Sequence, residues 1–424
     1  MSQVAAGIGS PKLDPQVRSL LEAMPPHPPW SSLAPAAAHA YPTPINAAPE
    51  AVFSVSQRSI EGPGGWLALR IYRPSGAGPH PALIYLHGGG FVLGGLETTD
   101  RFARAITNLV PCVAISVDYR LSPETKFPGA LEDAFAALRW VAGAATELGI
   151  DPDRIAVGGF SAGANLAAAL AMLSRDRGGP PVTFQLLVQG MFDARCLATT
   201  HREFDGIVMT ADDMRWFWAQ YLRSPADADH PHAAPLRATD LKGVAPALVV
   251  TGECDLLRDE GEDYGRRLID AGVDATIRRY DAMPHGFLSM PTIETSKRAM
   301  ADIADDPEAA LRRRPHVAGG YGRRSRSIWR RSRFVGRPAP GSRTKTRGSR
   351  RTTGAGGLWS MKQVAATAAP TRLSRSATTS RMRCRSTKAS TRSPTFTGVE
   401  AFAAERFTRT WPPRHAAVEA ERVL

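Results

Sequence analysis

Cysteine is scarce in this chain, with four in 424 residues. Cys112, Cys196, Cys254 and Cys384 lie far apart, form no CxxC pair and have no histidine at zinc-finger spacing. A disulfide framework and a structural zinc site are therefore not expected, and no metal or cofactor is called for. Long apolar runs are missing too. A membrane span needs ~20 apolar residues, and Ala164–Leu173 is about half that length. The start of the chain, Met1 to Lys12, has no basic segment leading into an apolar one, so no secretory signal is expected and the reading is cytoplasmic. Neither a GxGxxG fingerprint nor a GKS/T phosphate loop is present, which leaves nucleotide chemistry without support.

With 43% hydrophobic residues there is enough apolar surface for a sizeable core, so a wholly disordered chain is excluded. The net charge of +13 divides unevenly. Residues 1–311 hold 26 Lys+Arg and 36 Asp+Glu, a net of −10, and residues 312–424 hold 27 and 4, a net of +23. The last stretch has 24 Arg against 3 Lys, no Asp and no Asn, and is crowded with Ser, Thr and Gly. It has no sustained hydrophobic period to offset the entropy of ordering, so it reads as a disordered extension. Its cations would hold nucleic acid loosely and in a salt-sensitive way. It has no reader module or regular stacking aromatics, so no specific nucleic-acid partner is expected. An Arg-rich, Lys-poor, Asp-free composition is also what a GC-rich coding sequence gives in a shifted frame.

Residues 1–311 alternate strand with helix. Short apolar runs at Ala82–Leu86, Cys112–Val117, Ile155–Val157, Phe184–Val188 and Ala247–Val250 are what strands buried on both faces of a parallel sheet look like. Helical stretches lie between them, at Ala130–Leu148 and Asp259–Ala271, and a first helix covers Leu13–Met24. Trp66–Tyr72 alternates as a hairpin strand after Gly62-Pro-Gly-Gly65. The expectation is one α/β domain with a mostly parallel central sheet and helices on both faces.

Three signals carry chemistry. His87-Gly-Gly-Gly-Phe91 follows one strand, and Gly159-Phe-Ser-Ala-Gly163 follows another and opens an Ala-rich helix. Asp255 and His285 each follow a strand end, 30 residues apart, the length of one strand–helix–strand unit. A GxSxG turn forces its serine, Ser161, into a strained bend above the sheet. Serine attacks only when a base takes its proton and an acid orients that base, which makes His285 and Asp255 the candidates for those roles. Glu253 and Asp259 are rival carboxylates close by. Backbone N–H groups of Gly88, Gly89, Gly90 and Ala162 are placed to face an oxyanion. His87 reads as a structural prop of its loop, and Asp118 with Arg120 as a structural polar pair. The Asp229-His-Pro-His232 stretch reads as solvated. The aromatic run Met214–Leu222 is either core or a lid over the site.

His87–Gly90, Asp118–Glu124 with Phe127-Pro128, Ser161-Ala-Gly163, Asp255–Gly261 and Pro284–Leu288 together resemble the bacterial hormone-sensitive-lipase family of esterases. The resemblance covers about residues 12–303. It implies an α/β-hydrolase fold with a small helical cap, built from about 1–45 and 192–230, that cleaves short- to medium-chain acyl esters without metal or cofactor. It also implies Ser161, His285 and Asp255 as nucleophile, base and orienter. Phe91, Phe160, Trp216, Phe217, Trp218 and Tyr221 are then expected along the substrate pocket, and the partner is a small ester, bound by a monomer or homodimer. Phe160, Ala164 and Leu256 stand where the family commonly has Asp, Gly and Pro. Asp305-Asp-Pro307 is expected to break the last family helix. Two other activities fit the same residues: cleavage of an activated amide, as formamidases do, and an inactive hydrolase domain carrying a nucleic-acid-binding tail.

Overall fold

The apolar runs become the strands of one eight-stranded sheet. In the computed structural model they are β3 (His80–Leu86), β4 (Val113–Val117), β5 (Ile150–Phe160), β6 (Phe184–Val188), β7 (Ala247–Cys254) and β8 (Ala275–Pro284). β4 and β6 are buried at every position, as sheet interiors covered on both faces require. The alternating run forms β2 (Gly65–Arg73), paired with β1 (Ser54–Gly62) in an antiparallel hairpin. The strand order is β1-β2-β4-β3-β5-β6-β7-β8, parallel from β4 through β8 and antiparallel on either side of β2. The structure describes residues 12–24, 28–39 and 50–312. All of them lie in the first of two compact units, Met1–Arg331 and Ser332–Leu424. The basic extension read from the sequence, past Arg312, is outside the described residues, as is much of the stretch 1–45.

Helices cover the sheet in two groups. α3 (Leu96–Leu109) packs with α9 (Glu294–Arg312), while α4 (Gly129–Gly143) packs with α5 (Ala162–Asp176). α8 (Arg258–Asp270) lies along β7 and β8. α3 has no counterpart among the helices read from the sequence. Its buried face (Thr99, Ala103, Ile106, Thr107) stands opposite a charged and polar one, a contrast the sequence reading passed over. α4 stops at Gly143, five residues short of the expected end. α9 corrects a further expectation, because it continues past Pro307 instead of breaking there. Its buried anchors Ala299, Ile303 and Ala304 all precede the proline, so packing holds the helix before the missing N–H is reached. Among the described residues, no helix is long and apolar enough to cross a membrane.

Among the described residues four further helices follow, of which α1 (Pro15–Ala23), α2 (Pro35–His39) and the short α6 (Thr200–Glu203) are three. α7 (Ala211–Tyr221) holds the aromatic run.

Candidate active site

Five adjacent parallel strands end along one edge of the sheet, and each presents a particular residue just beyond its last position. Across β3, β5, β6, β7 and β8 these are His87, Ser161, Gln189, Asp255 and His285. Open α/β sheets keep their sites at this carboxyl edge.

Ser161 joins β5 to α5 at φ 56°, ψ −118°, a conformation that L-residues adopt only under constraint. Two glycines make the turn possible. A Cβ on Gly159 would stand 2.3 Å from the Gly163 backbone, and one on Gly163 would stand 2.0 Å from the Leu86 carbonyl oxygen. The hydroxyl-bearing residue is thereby set at the mouth of a helix whose first N–H groups have no partner within the helix.

His285 Nδ1 lies 2.9 Å from Asp255 Oδ2, and both residues are buried. The other Asp255 oxygen accepts the Leu257 N–H at 2.9 Å. The rival carboxylates are engaged elsewhere: Glu253 accepts the Ala282 N–H at 2.9 Å, and Asp259 is held by the Arg258 guanidinium. Of the three, the structure brings Asp255 to the histidine. Ser161 and His285 both line one cavity of about 210 Å³.

Gly89 and Gly90 line that cavity as well. Gly89 has φ 116° and Gly90 φ 60°, and a Cβ on Gly90 would fall 2.2 Å from the Phe217 ring. Gly88 lies under Phe160, whose ring a Cβ would meet at 2.5 Å, and Ala162 is fully buried at the start of α5. His87 props the loop. Its Nδ1 bonds the Gly88 carbonyl at 2.8 Å, and its ring stacks on Tyr119. Burial pushes its pKa down to about 4, so the ring stays neutral. Arg120 is gripped by both oxygens of Asp133. His232, read from sequence as solvated, is only partly exposed and lies 3.4 Å from Asp176; no metal-holding cluster occurs among the described residues.

The cavity roof is α7. Its N-terminus is capped by Thr210 and Asp213, and Asp213 also accepts the Ser31 N–H at 2.8 Å. At the other end Lys126 Nζ donates to the carbonyls of Ala219, Gln220 and Leu222 at 3.1, 2.6 and 3.0 Å. Of the expected pocket aromatics, Phe160 and Phe217 line the cavity. Phe91, Trp218 and Tyr221 instead form a buried cluster behind it, with Phe91 stacked on Tyr221 at 3.7 Å. Trp216 packs edge-on against Phe217. Met214, Phe217, Trp218 and Tyr221 lie along one buried face of α7, and the division is made by what packs against it: Met214 and Phe217 meet the cavity, while Trp218 and Tyr221 meet Phe91 of the glycine loop.

A family profile described as alpha/beta hydrolase fold matches residues 83–289. Carboxylesterase NlhH of Mycobacterium tuberculosis is 39% identical over 257 residues, covering 59% of this chain and 79% of NlhH. This chain is a hormone-sensitive-lipase-like α/β-hydrolase. The hydrolase is also 41% identical over 249 residues to carboxylic ester hydrolase LipN of the same species, covering 57% of this chain and 66% of LipN. A solved esterase from Pyrobaculum calidifontis superposes on it with a TM-score of 0.65 at 39% identity, covering 70% of this chain and 98% of the other.

Sequence reasoning did not single out Trp30, Leu93, Met191, Val208 or Met209, which, with Met214 from the run read as core or lid, complete the hydrolase's cavity wall. They come from five separate segments and share no spacing. Gln189 was also passed over. Its one available signal is position, as the first residue beyond a strand that lies between those of Ser161 and Asp255.

Proposed function

We propose that this hydrolase cleaves small, uncharged carboxylic esters through an acyl-enzyme on Ser161. Its reaction class is carboxylic ester hydrolysis. His285 takes the Ser161 proton as the hydroxyl attacks the acyl carbonyl, and Asp255 keeps Nδ1 of the imidazole oriented. The oxyanion rests on N–H groups of Gly89, Gly90 and Ala162, with Gly88 shaping the loop beneath. His285 then hands the proton to the leaving alcohol, activates a water, and the acid departs. Every step is carried by groups of the chain itself.

One observation carries this reading: a bonded Asp255–His285 pair opens onto the same small cavity as a serine strained at a helix start. The substrate size follows from the same cavity. Pockets for drug-sized ligands run roughly 300–1,000 Å³, so about 210 Å³ suits short acyl chains. Among the described lining residues His285 is the only ionisable side chain, which favours neutral esters. The cytoplasm is the proposed location, since the three described cysteines are buried and unpaired, and a monomer or homodimer is the proposed unit.

The test is hydrolysis of p-nitrophenyl butyrate by the full chain beside Ser161→Ala. We expect the variant to lose at least about 10⁴-fold in kcat and the octanoate ester to be a poorer substrate than the butyrate. Turnover by folded Ser161→Ala at the parent rate would overturn the assignment.

A further inference from the structure

We propose that Gln189 is a positioning residue that fixes the Asp255 carboxylate and the His285 turn against one another. The proposal rests on the roles given above to Asp255 and His285. Gln189 is 1% exposed, and its amide is fully engaged. Nε2 donates to Asp255 Oδ2 at 2.7 Å and to the Pro284 carbonyl at 3.0 Å, while Oε1 accepts the Gly286 N–H at 2.9 Å. The orientation of the amide follows from its partners, because a carboxylate and a carbonyl can only accept and a backbone N–H can only donate.

His285 lies between Pro284 and Gly286, so one side chain grips the backbone on both sides of the base and also holds its acid. Asp255 Oδ2 thus takes two donors, Gln189 Nε2 and His285 Nδ1, and Oδ1 takes the Leu257 N–H. A carboxylate held at both oxygens cannot swing away from the imidazole.

The backbone at Gln189 is adapted to this task. It stands at φ +47°, outside the ordinary range for a side chain of its size, with its N–H on the Val250 carbonyl at 2.7 Å. On the neighbouring strand Gly252 leaves room for the amide: a Cβ there would lie 3.2 Å from Gln189 Nε2. Strain held in place by surrounding hydrogen bonds is common where function depends on the geometry. A leucine would fill the same space. It would leave the Pro284 carbonyl and Gly286 N–H without these partners and release one hold on Asp255.

Gln189→Leu is expected to lower kcat for p-nitrophenyl butyrate by about 10- to 100-fold, with KM changed less than about twofold. The decisive measurement repeats that substitution in an Asp255→Ala background. If Gln189 works by setting the acid against the base, its loss there costs less than about threefold, because no acid remains to be set. An equal loss in both backgrounds, or a Gln189→Leu enzyme with parental kcat, would overturn the proposal. Should Gln189→Leu fail to fold, Gln189→Glu keeps the shape and the acceptor for Gly286 while replacing the donor to Asp255 with oxygen. A loss of tenfold or more in that variant sustains the proposal, and parental kcat ends it. Parental activity in Asp255→Ala alone would instead sink the triad assignment, a separate failure.

Discussion

The floor of the cavity and its roof are held by different kinds of interaction. The floor is backbone: strand ends in register, glycines that no other residue can replace, and non-glycine residues at positive φ (Phe91, Ser161, Gln189). The roof is attached through side chains: Lys126 on three carbonyls, Asp213 on the Ser31 N–H, and a ring stack between Phe91 and Tyr221. A floor made of main chain admits no added atom. A roof made of side chains accepts substitutions of similar size and passes them on as altered substrate fit. The chemistry of such a molecule is therefore fixed more firmly than its substrate range.

That contrast can be broken or sharpened by substitution. The largest effect is expected from Gly163→Ala, whose methyl would meet the Leu86 oxygen at 2.0 Å and the His87 oxygen at 2.6 Å. A loss of more than about 3 kcal/mol, or failure to fold, is expected from such overpacking. Urea unfolding checks it, and a parental midpoint would show the floor to be more pliable than its geometry implies. A smaller effect is expected from Lys126→Met, which frees the C-terminal end of α7. KM for p-nitrophenyl butyrate should rise about three- to tenfold with kcat within twofold, the pattern of lost binding common to ground and transition states. A fall in kcat with unchanged KM would place Lys126 with the floor.

The smallest effect belongs to a pair outside both regions. Arg177 holds both oxygens of Glu132, at 2.8 and 2.6 Å, and this guanidinium keeps the Glu132 carboxyl below its usual range. Because the folded-state value is depressed, the stabilisation is complete above the unfolded value of about 4.3 and drains away as pH falls through the lower folded value. Both side chains are partly exposed, so Glu132→Gln should cost less than about 1 kcal/mol at pH 7. The difference from the parent should shrink in unfolding measurements at pH below about 4. A gap that persists unchanged there would assign the loss to packing.

The sheet was legible because strands buried on both faces must be apolar throughout, and Phe184–Val188 and Ala247–Val250 are. Ser161, Asp255 and His285 were read together because the chemistry proposed for them demands particular residue types at strand ends, and all three stand along one edge of the sheet. α3 was passed over although Ala103 and Ile106 face inward opposite charged residues, because Thr99 and Thr107 complete that buried face and leave no apolar run to catch the eye. The run Trp216–Tyr221 revealed that aromatics pack near the site, but the tilt and position of the helix decide which of them line the cavity, and only the packed structure sets these. Trp30, Met191 and Met209 were illegible for a similar reason: their common wall is assembled from distant segments. Pro307 misled in the opposite direction, because a local propensity was read without the packing that precedes it.

Apart from His285, no described residue of the cavity wall carries an ionisable group, and this bears on how a reaction cycle of the proposed kind would end. An ester enters as a neutral molecule, and the acid that leaves is an anion at neutral pH. Residues such as Leu93, Met191, Val208 and Phe217 offer that anion nothing in place of water, and holding an unpaired charge among them is costly. Against that wall, ionisation of the product turns a good guest into a poor one. On the function proposed above, the N–H groups of the glycine loop and the start of α5 pull the other way, so the two ends of one small cavity oppose each other at product release.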